Sequence, residues 1–238
     1  MDLYPAIDIR NGRVVRLSRG DAAAETSYGD DPVAQAEAFL AAGARWIHVV
    51  DLDRAFGTGD NLAVIGRLAR ALGARVRIQV GGGLRSLDAL AAVLDFGASR
   101  GVLGTAAITD PGLVPAAVAA SGADRVAIGL DTKDGKVAIR GWVETTPLLA
   151  ADVCRRVLSE GARTIIYTDV SRDGMLTGPD LDGARALQGL GASVIASGGV
   201  AGIADLLAAR DAGLAGAIAG RAIYEGKFTV AEALAALG

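Results

Sequence analysis

The chain has 238 residues, 51% of them hydrophobic, so it can bury a large core, and its net charge of −3 supplies no basic field for nucleic acid. A single cysteine, Cys154, rules out an intrachain disulfide and a thiolate zinc site and fits a reducing compartment. Met1-Asp2-Leu3-Tyr4 runs straight into a strand, and the apolar runs stop short of the ~20 residues that a membrane span needs, so a soluble cytoplasmic protein without signal peptide or membrane partner is expected.

Short β-rich runs and alanine- and leucine-rich helical stretches alternate along the chain. The strands are expected at Leu3 to Ile9, Trp46 to Leu52, Val76 to Val80, Gly101 to Leu103, Val126 to Leu130, Thr164 to Thr168, Ser193 to Ala196 and Ala217 to Ala219. Between the first two strands, Pro32 to Ala42 places Val33, Ala36, Phe39 and Leu40 on one helical face, with Pro32 suited to the first turn after Asp30-Asp31. Ser86 to Leu94 and Ile203 to Ala212 repeat that amphipathic pattern. Two longer stretches, Ile9 to Asp31 and Thr132 to Thr146, read as lid loops. His48, the one histidine, lies in the apolar run Trp46 to Val50 and reads as packed and hydrogen-bonded, which disfavours a histidine-based triad.

Eight strands alternating with helices indicate a parallel sheet, most simply closed as a single (β/α)8 TIM barrel. An open doubly wound sheet is the rival, but it duplicates less naturally into four-strand halves. Duplication is visible. Gly82 to Gly104 spans 22 positions, as does Gly198 to Gly220, and the second pair follows the first by 116. Asp8 with Asn11-Gly12 is matched by Asp131 with Asp134-Gly135, and Asp51 by Asp169. No linker divides the chain, and neither half could hide both edges of its sheet alone, so residues 1–238 are expected to form one domain with half-barrels of approximately 1–122 and 123–238.

Reacting groups in such barrels sit at the C-terminal ends of the strands. Gly82, Gly83, Gly104 and Thr105, then Gly198, Gly199 and Gly220, have the residue types of paired phosphate cradles: without a Cβ, backbone N–H groups can approach an anion closely. Arg85 and Arg221 add charge beside them, and the small-molecule ligand implied is a bisphosphate. Asp8, following an apolar strand, suits a general base. Asp131, its symmetry mate across the mouth, and Asp173 suit a general acid, and Thr168 at the end of its strand is placed to hydrogen-bond the substrate. Arg16 and Gly20 in the first lid, and Trp142 in the second, are candidate substrate contacts, the indole stacking on a heterocycle. Asp51-Leu52-Asp53 with Gly57 to Asn61 has the polarity of a cation loop, but the repeat makes it an ordinary βα loop, and no metal is expected. By contrast, Asp124 and Arg163 precede their strands and belong on the opposite, stabilising face.

Pro5-Ala6-Ile7-Asp8, His48 to Leu52, Gly82 to Ser86, Gly129-Leu130-Asp131, Thr168-Asp169, Arg172-Asp173-Gly174 and Ala196 to Val200 together resemble the phosphoribosylformimino-5-aminoimidazole carboxamide ribotide isomerases of histidine biosynthesis. The resemblance runs along nearly the whole chain. It implies a cofactor-free Amadori rearrangement of an aminoaldose to an aminoketose, with Asp8 as base and Asp131 or Asp173 as acid, and no obligate protein partner. Met175 departs from the threonine common after Asp-Gly in the sixth loop. Ala6-Ile7-Asp8 and Arg16 separate the chain from the sister cyclase, which has Cys-Leu-Asp and a lysine there. Two alternatives stand beside this reading: an isomerase that also accepts phosphoribosylanthranilate, and a noncatalytic phosphosugar-binding barrel.

Overall fold

The computed structural model describes residues 1–18 and 21–238; Gly20 lies outside the described residues. In chain order the strands are β1 (Asp2–Arg10), β2 (Arg13–Ser18), β3 (Asp21–Gly29), β4 (Trp46–Asp51), β5 (Arg77–Gly81), β6 (Arg100–Leu103), β7 (Val126–Lys133), β8 (Lys136–Ile139), β9 (Glu144–Leu149), β10 (Thr164–Asp169), β11 (Ser193–Ser197) and β12 (Gly216–Ala219). Eight of them, β1-β4-β5-β6-β7-β10-β11-β12, form a continuous parallel ring that closes where Asp2 to Pro5 of β1 pair with Gly216 to Ala219 of β12. This is the expected (β/α)8 barrel, with the expected strands within one residue of their places at either end except β7, which runs three residues further, to Lys133.

Alternation along the strands separates two cores. Inward residues Tyr4, Ala6, Trp46, Val102, Ala127, Ile166, Ile195 and Ile218 fill the barrel. Outward residues such as Ile7, Ile47, Val49, Ile128 and Ile165 pack with the helices in a larger shell. Trp46 lies at the N-terminal end of β4, its ring between the guanidiniums of Arg77 and Arg100 at 4.4 and 4.7 Å from the centroid, with Tyr4 beside it at 5.2 Å. At the same end of the molecule Arg163 and Asp124 form an exposed ion pair 3.9 Å apart.

The helices start where their caps allow. Asp31 accepts from the Val33 and Ala34 amides and Pro32 takes the first turn of the helix Pro32–Ala41, while Ser86 caps Leu87–Asp95.

The two lid stretches are not irregular loops but antiparallel hairpin extensions of the sheet: β2 and β3 continue from β1, and β8 and β9 continue from β7. The reason is local. Asn11 and Gly12 take φ of 50° and 75°, and Asp134 and Gly135 take 52° and 74°, the paired positive values of the two-residue turn that best joins twisted strands. The excursion thus occurs at the same place in each half.

Candidate functional site

A cavity of about 760 Å³ opens at the C-terminal ends of the barrel strands, within the range for small-ligand sites. Ring order sets its geometry. β1 and β7 are four places apart in either direction, so Asp8 and Asp131 stand across the mouth from each other; the same holds for β5 and β11, and for β6 and β12, which carry the glycine cradles.

The cradles have matching backbones. Gly82 and Gly83 take φ of 93° and 67°, and Gly198 and Gly199 take 82° and 87°. A Cβ on Gly82 would run into the Asp51 backbone, and one on Gly199 into the Gly178 carbonyl, so close backbone approach as well as dihedral demands glycine. Gly104 and Gly220 precede the short helices Thr105–Thr109 and Arg221–Tyr224. At the first cradle the Thr105 hydroxyl accepts from the Arg140 amide at 2.9 Å, and Arg85 donates to the Ala55 carbonyl at 3.0 Å while bordering the cavity. The second cradle has its own recess of about 30 Å³, bordered by Arg16, Asp173 and Arg221. Arg221 donates to the Gly174 carbonyl and pairs with Glu225, and the Arg16 guanidinium lies against Gly220, in the space that a side chain there would take.

On the β1 side, Arg16 Nη1 is 2.9 Å from Asp8 Oδ1, and the two side chains keep only 11% and 13% of their exposure. Burial pushes the Asp8 carboxyl up to about 6; the Arg16 cation opposes that shift and the Asp173 carboxylate adds to it. Burial also raises Asp173, against the Arg16 charge and the Gly174 amide. Across the mouth, Trp142 Nε1 donates to Asp131 Oδ2 at 2.8 Å, folding the second hairpin over the acid. Asp131 too is raised by burial, with hydrogen bonds from Trp142 and Thr168 opposing. The cavity therefore gathers Asp8, Asp131, Asp173, Thr168, Arg16 and Trp142, together with both cradles. Trp142 and Arg140 have φ of 71° and 55°, left-handed values costly for such side chains. Met175 is 37% exposed.

Three features were not legible in single residues. His48 is packed and hydrogen-bonded, through Nδ1 to Gln79 at 3.0 Å, but it also borders the cavity. Tyr224 donates its hydroxyl to the Ala6 carbonyl at 2.9 Å, behind Asp8 on β1. Asp51, Asp53 and Asn61 are buried and form a clamp: Asn61 Nδ2 reaches Asp51 and Asp53 at 2.8 and 2.7 Å, Asn61 Oδ1 accepts from the Gly12 amide at 3.0 Å, and Asp53 accepts from the Asn11 amide at 2.6 Å. The second βα loop thereby grips the turn of the hairpin that delivers Arg16. The Asx-rich composition of residues 51–61 was the available signal, and it points to hydrogen bonding to nearby backbone rather than to a cation.

The model of a family described as histidine biosynthesis protein matches residues 2–229 of the chain. Curated relatives carrying the name 1-(5-phosphoribosyl)-5-((5-phosphoribosylamino)methylideneamino)imidazole-4-carboxamide isomerase match it end to end. That of Symbiobacterium thermophilum is 47% identical over 243 residues, covering 100% of this chain and 97% of the relative. Those of Cereibacter sphaeroides and Moorella thermoacetica are 47% and 49% identical, covering 100% and 99% of this chain and 99% and 98% of their own lengths. No helix among the described residues is long and apolar enough to cross a membrane.

Proposed function

The chain belongs to the imidazole-carboxamide isomerase family of histidine biosynthesis, and on that premise we propose that its barrel mouth converts the phosphoribosylated aminoaldose to the aminoketose by general acid–base catalysis, without metal or cofactor. The observation that carries the site assignment is the placement of Asp8 and Asp131 on opposite strands, with the two glycine cradles opposed at right angles around the same ring. Each cradle takes one phosphate of the substrate on backbone N–H groups, with Arg16 and Arg221 neutralising charge at the second.

An acid protonates the ribose ring oxygen, and the ring opens to a Schiff base. Asp8 then removes the C2′ proton, and the resulting enolamine is protonated at C1′ to give the ketose. A carboxyl held at about 6 is a useful base near neutral pH: mostly ionised, yet more basic than an exposed aspartate. The acid must start protonated and lie across the substrate from the base. Asp131 lies across the mouth from Asp8, and burial raises its carboxyl against the hydrogen bonds donated by Trp142 and Thr168, whereas Asp173 shares the Arg16 cation with Asp8. Trp142 covers the acid and offers its ring face to the imidazole-carboxamide. The relatives' names state one isomerase activity, so neither action on phosphoribosylanthranilate nor a noncatalytic role is favoured. The enzyme works in the cytoplasm and requires no protein partner.

The test is turnover of the aminoaldose by the purified chain. Asp8→Asn lowers kcat by about 10²- to 10⁴-fold while calorimetric substrate affinity stays within about threefold. Asp131→Asn costs more in kcat than Asp173→Asn. An unchanged rate in Asp8→Asn removes it as the base, and the opposite ranking of the other two transfers the acid to Asp173.

A further inference from the structure

A line of polar side chains crosses the barrel from its lower end to the cavity. Arg100, at the start of β6, is held over the Trp46 ring, and its Nε donates to the Asp124 carbonyl at 3.1 Å. Its Nη1 donates to Gln79 Oε1 at 3.2 Å. Gln79 is wholly buried, and its Nε2 is 3.0 Å from His48 Nδ1. His48 lies on the neighbouring strand, opposite Gln79 on one side and Ala6 on the other, and borders the cavity with Asp8.

The direction of every bond in this line follows from its first member. A guanidinium only donates, so Gln79 turns its oxygen to Arg100 and presents its NH₂ to His48. Nδ1 must then accept, and the ring proton resides on Nε2. Burial, with the Arg16 charge adding to it, pulls the His48 pKa down to about 3, so the ring is neutral at any pH at which the enzyme works.

We infer that Gln79 and Arg100 are positioning residues for the isomerisation, locking His48 as the Nε2–H tautomer so that it donates a hydrogen bond to a substrate oxygen beside Asp8. Neither residue borders the cavity itself. The opposite tautomer would present a lone pair there and could not donate. The identity of the substrate rests on the isomerase reading; the tautomer does not.

Because the chain has one histidine, protein labelled with ¹⁵N-histidine reports a single imidazole. Two-bond ¹H–¹⁵N spectra of the resting protein are expected to show Nε2 protonated and Nδ1 bare from pH 6 to 8. Gln79→Glu replaces the donor with an acceptor of similar shape, which moves the proton to Nδ1 and lowers kcat about tenfold with KM within about twofold. If that variant fails to fold, Arg100→Met frees the amide to turn, and a mixture of tautomers is expected. A resting enzyme protonated at Nδ1 overturns the inference, as does an Nδ1-protonated variant with the wild-type kcat or a slow variant that keeps Nε2–H. Failure of wild-type turnover with the expected spectrum instead strikes the isomerase reading.

Discussion

At Asp8, burial and the Arg16 cation act in opposite directions, and burial wins, leaving the carboxyl at about 6. A base must be ionised to accept a proton, so activity falls as pH drops through about 6. Arg16 favours the carboxylate, and its removal must raise the carboxyl further. In Arg16→Gln the acidic limb of the kcat profile therefore shifts to higher pH by roughly one unit. A limb that stays near 6 or moves to lower pH contradicts the pairing. The sign for folding is also defined. Because the folded carboxyl binds its proton more tightly than an aspartate of the unfolded chain, which titrates at about 4, ionising it costs stability, which declines as pH rises from about 4 to about 6 by at most ~3 kcal/mol. Asp8, Asp131 and Asp173 were legible because an acid after an apolar strand or in a βα loop of a barrel faces the mouth. Gln79 was not, since its meaning depends on which strands become neighbours, and only closure of the ring places Arg100 on one side of it and His48 on the other.

The two hairpins occupy equivalent places yet are anchored differently. The first is held at its turn, where Asn61 and Asp53 take the Gly12 and Asn11 amides. The second is held near its tip, where Trp142 bonds Asp131 and the Arg140 amide bonds Thr105. Breaking the clamp leaves Asp51 and Asp53 buried with fewer donors. Asn61→Leu is thus expected to cost about 3 kcal/mol in urea unfolding and to raise KM, because Arg16 leaves its place against Gly220. A loss below about 1 kcal/mol would show that the clamp is dispensable. Both hairpins were written in Asn11-Gly12 and Asp134-Gly135, turn dipeptides read only as part of the repeat. The flanking stretch Asp21 to Gly29 hides its strand, since three alanines and four polar residues offer little β preference.

For the whole molecule, the ring of strands followed from alternation and from the impossibility of leaving four-strand halves with open edges. The opposition of the cradles followed from their fixed offset once the ring had eight members. What lies at the other end of the barrel could not be read from spacing: Trp46 looked like one more apolar strand residue, and it is the side chain that stops the lower end between Arg77 and Arg100. Its consequence is isotopic. A barrel stopped below at Trp46 leaves the proton captured by Asp8 only the substrate-filled mouth as a route to bulk water before C1′ needs one. Substrate carrying deuterium at C2′ should therefore yield ketose with part of that deuterium at C1′, detectable by mass spectrometry. Complete washout would mean that water reaches the base faster than the enolamine collapses.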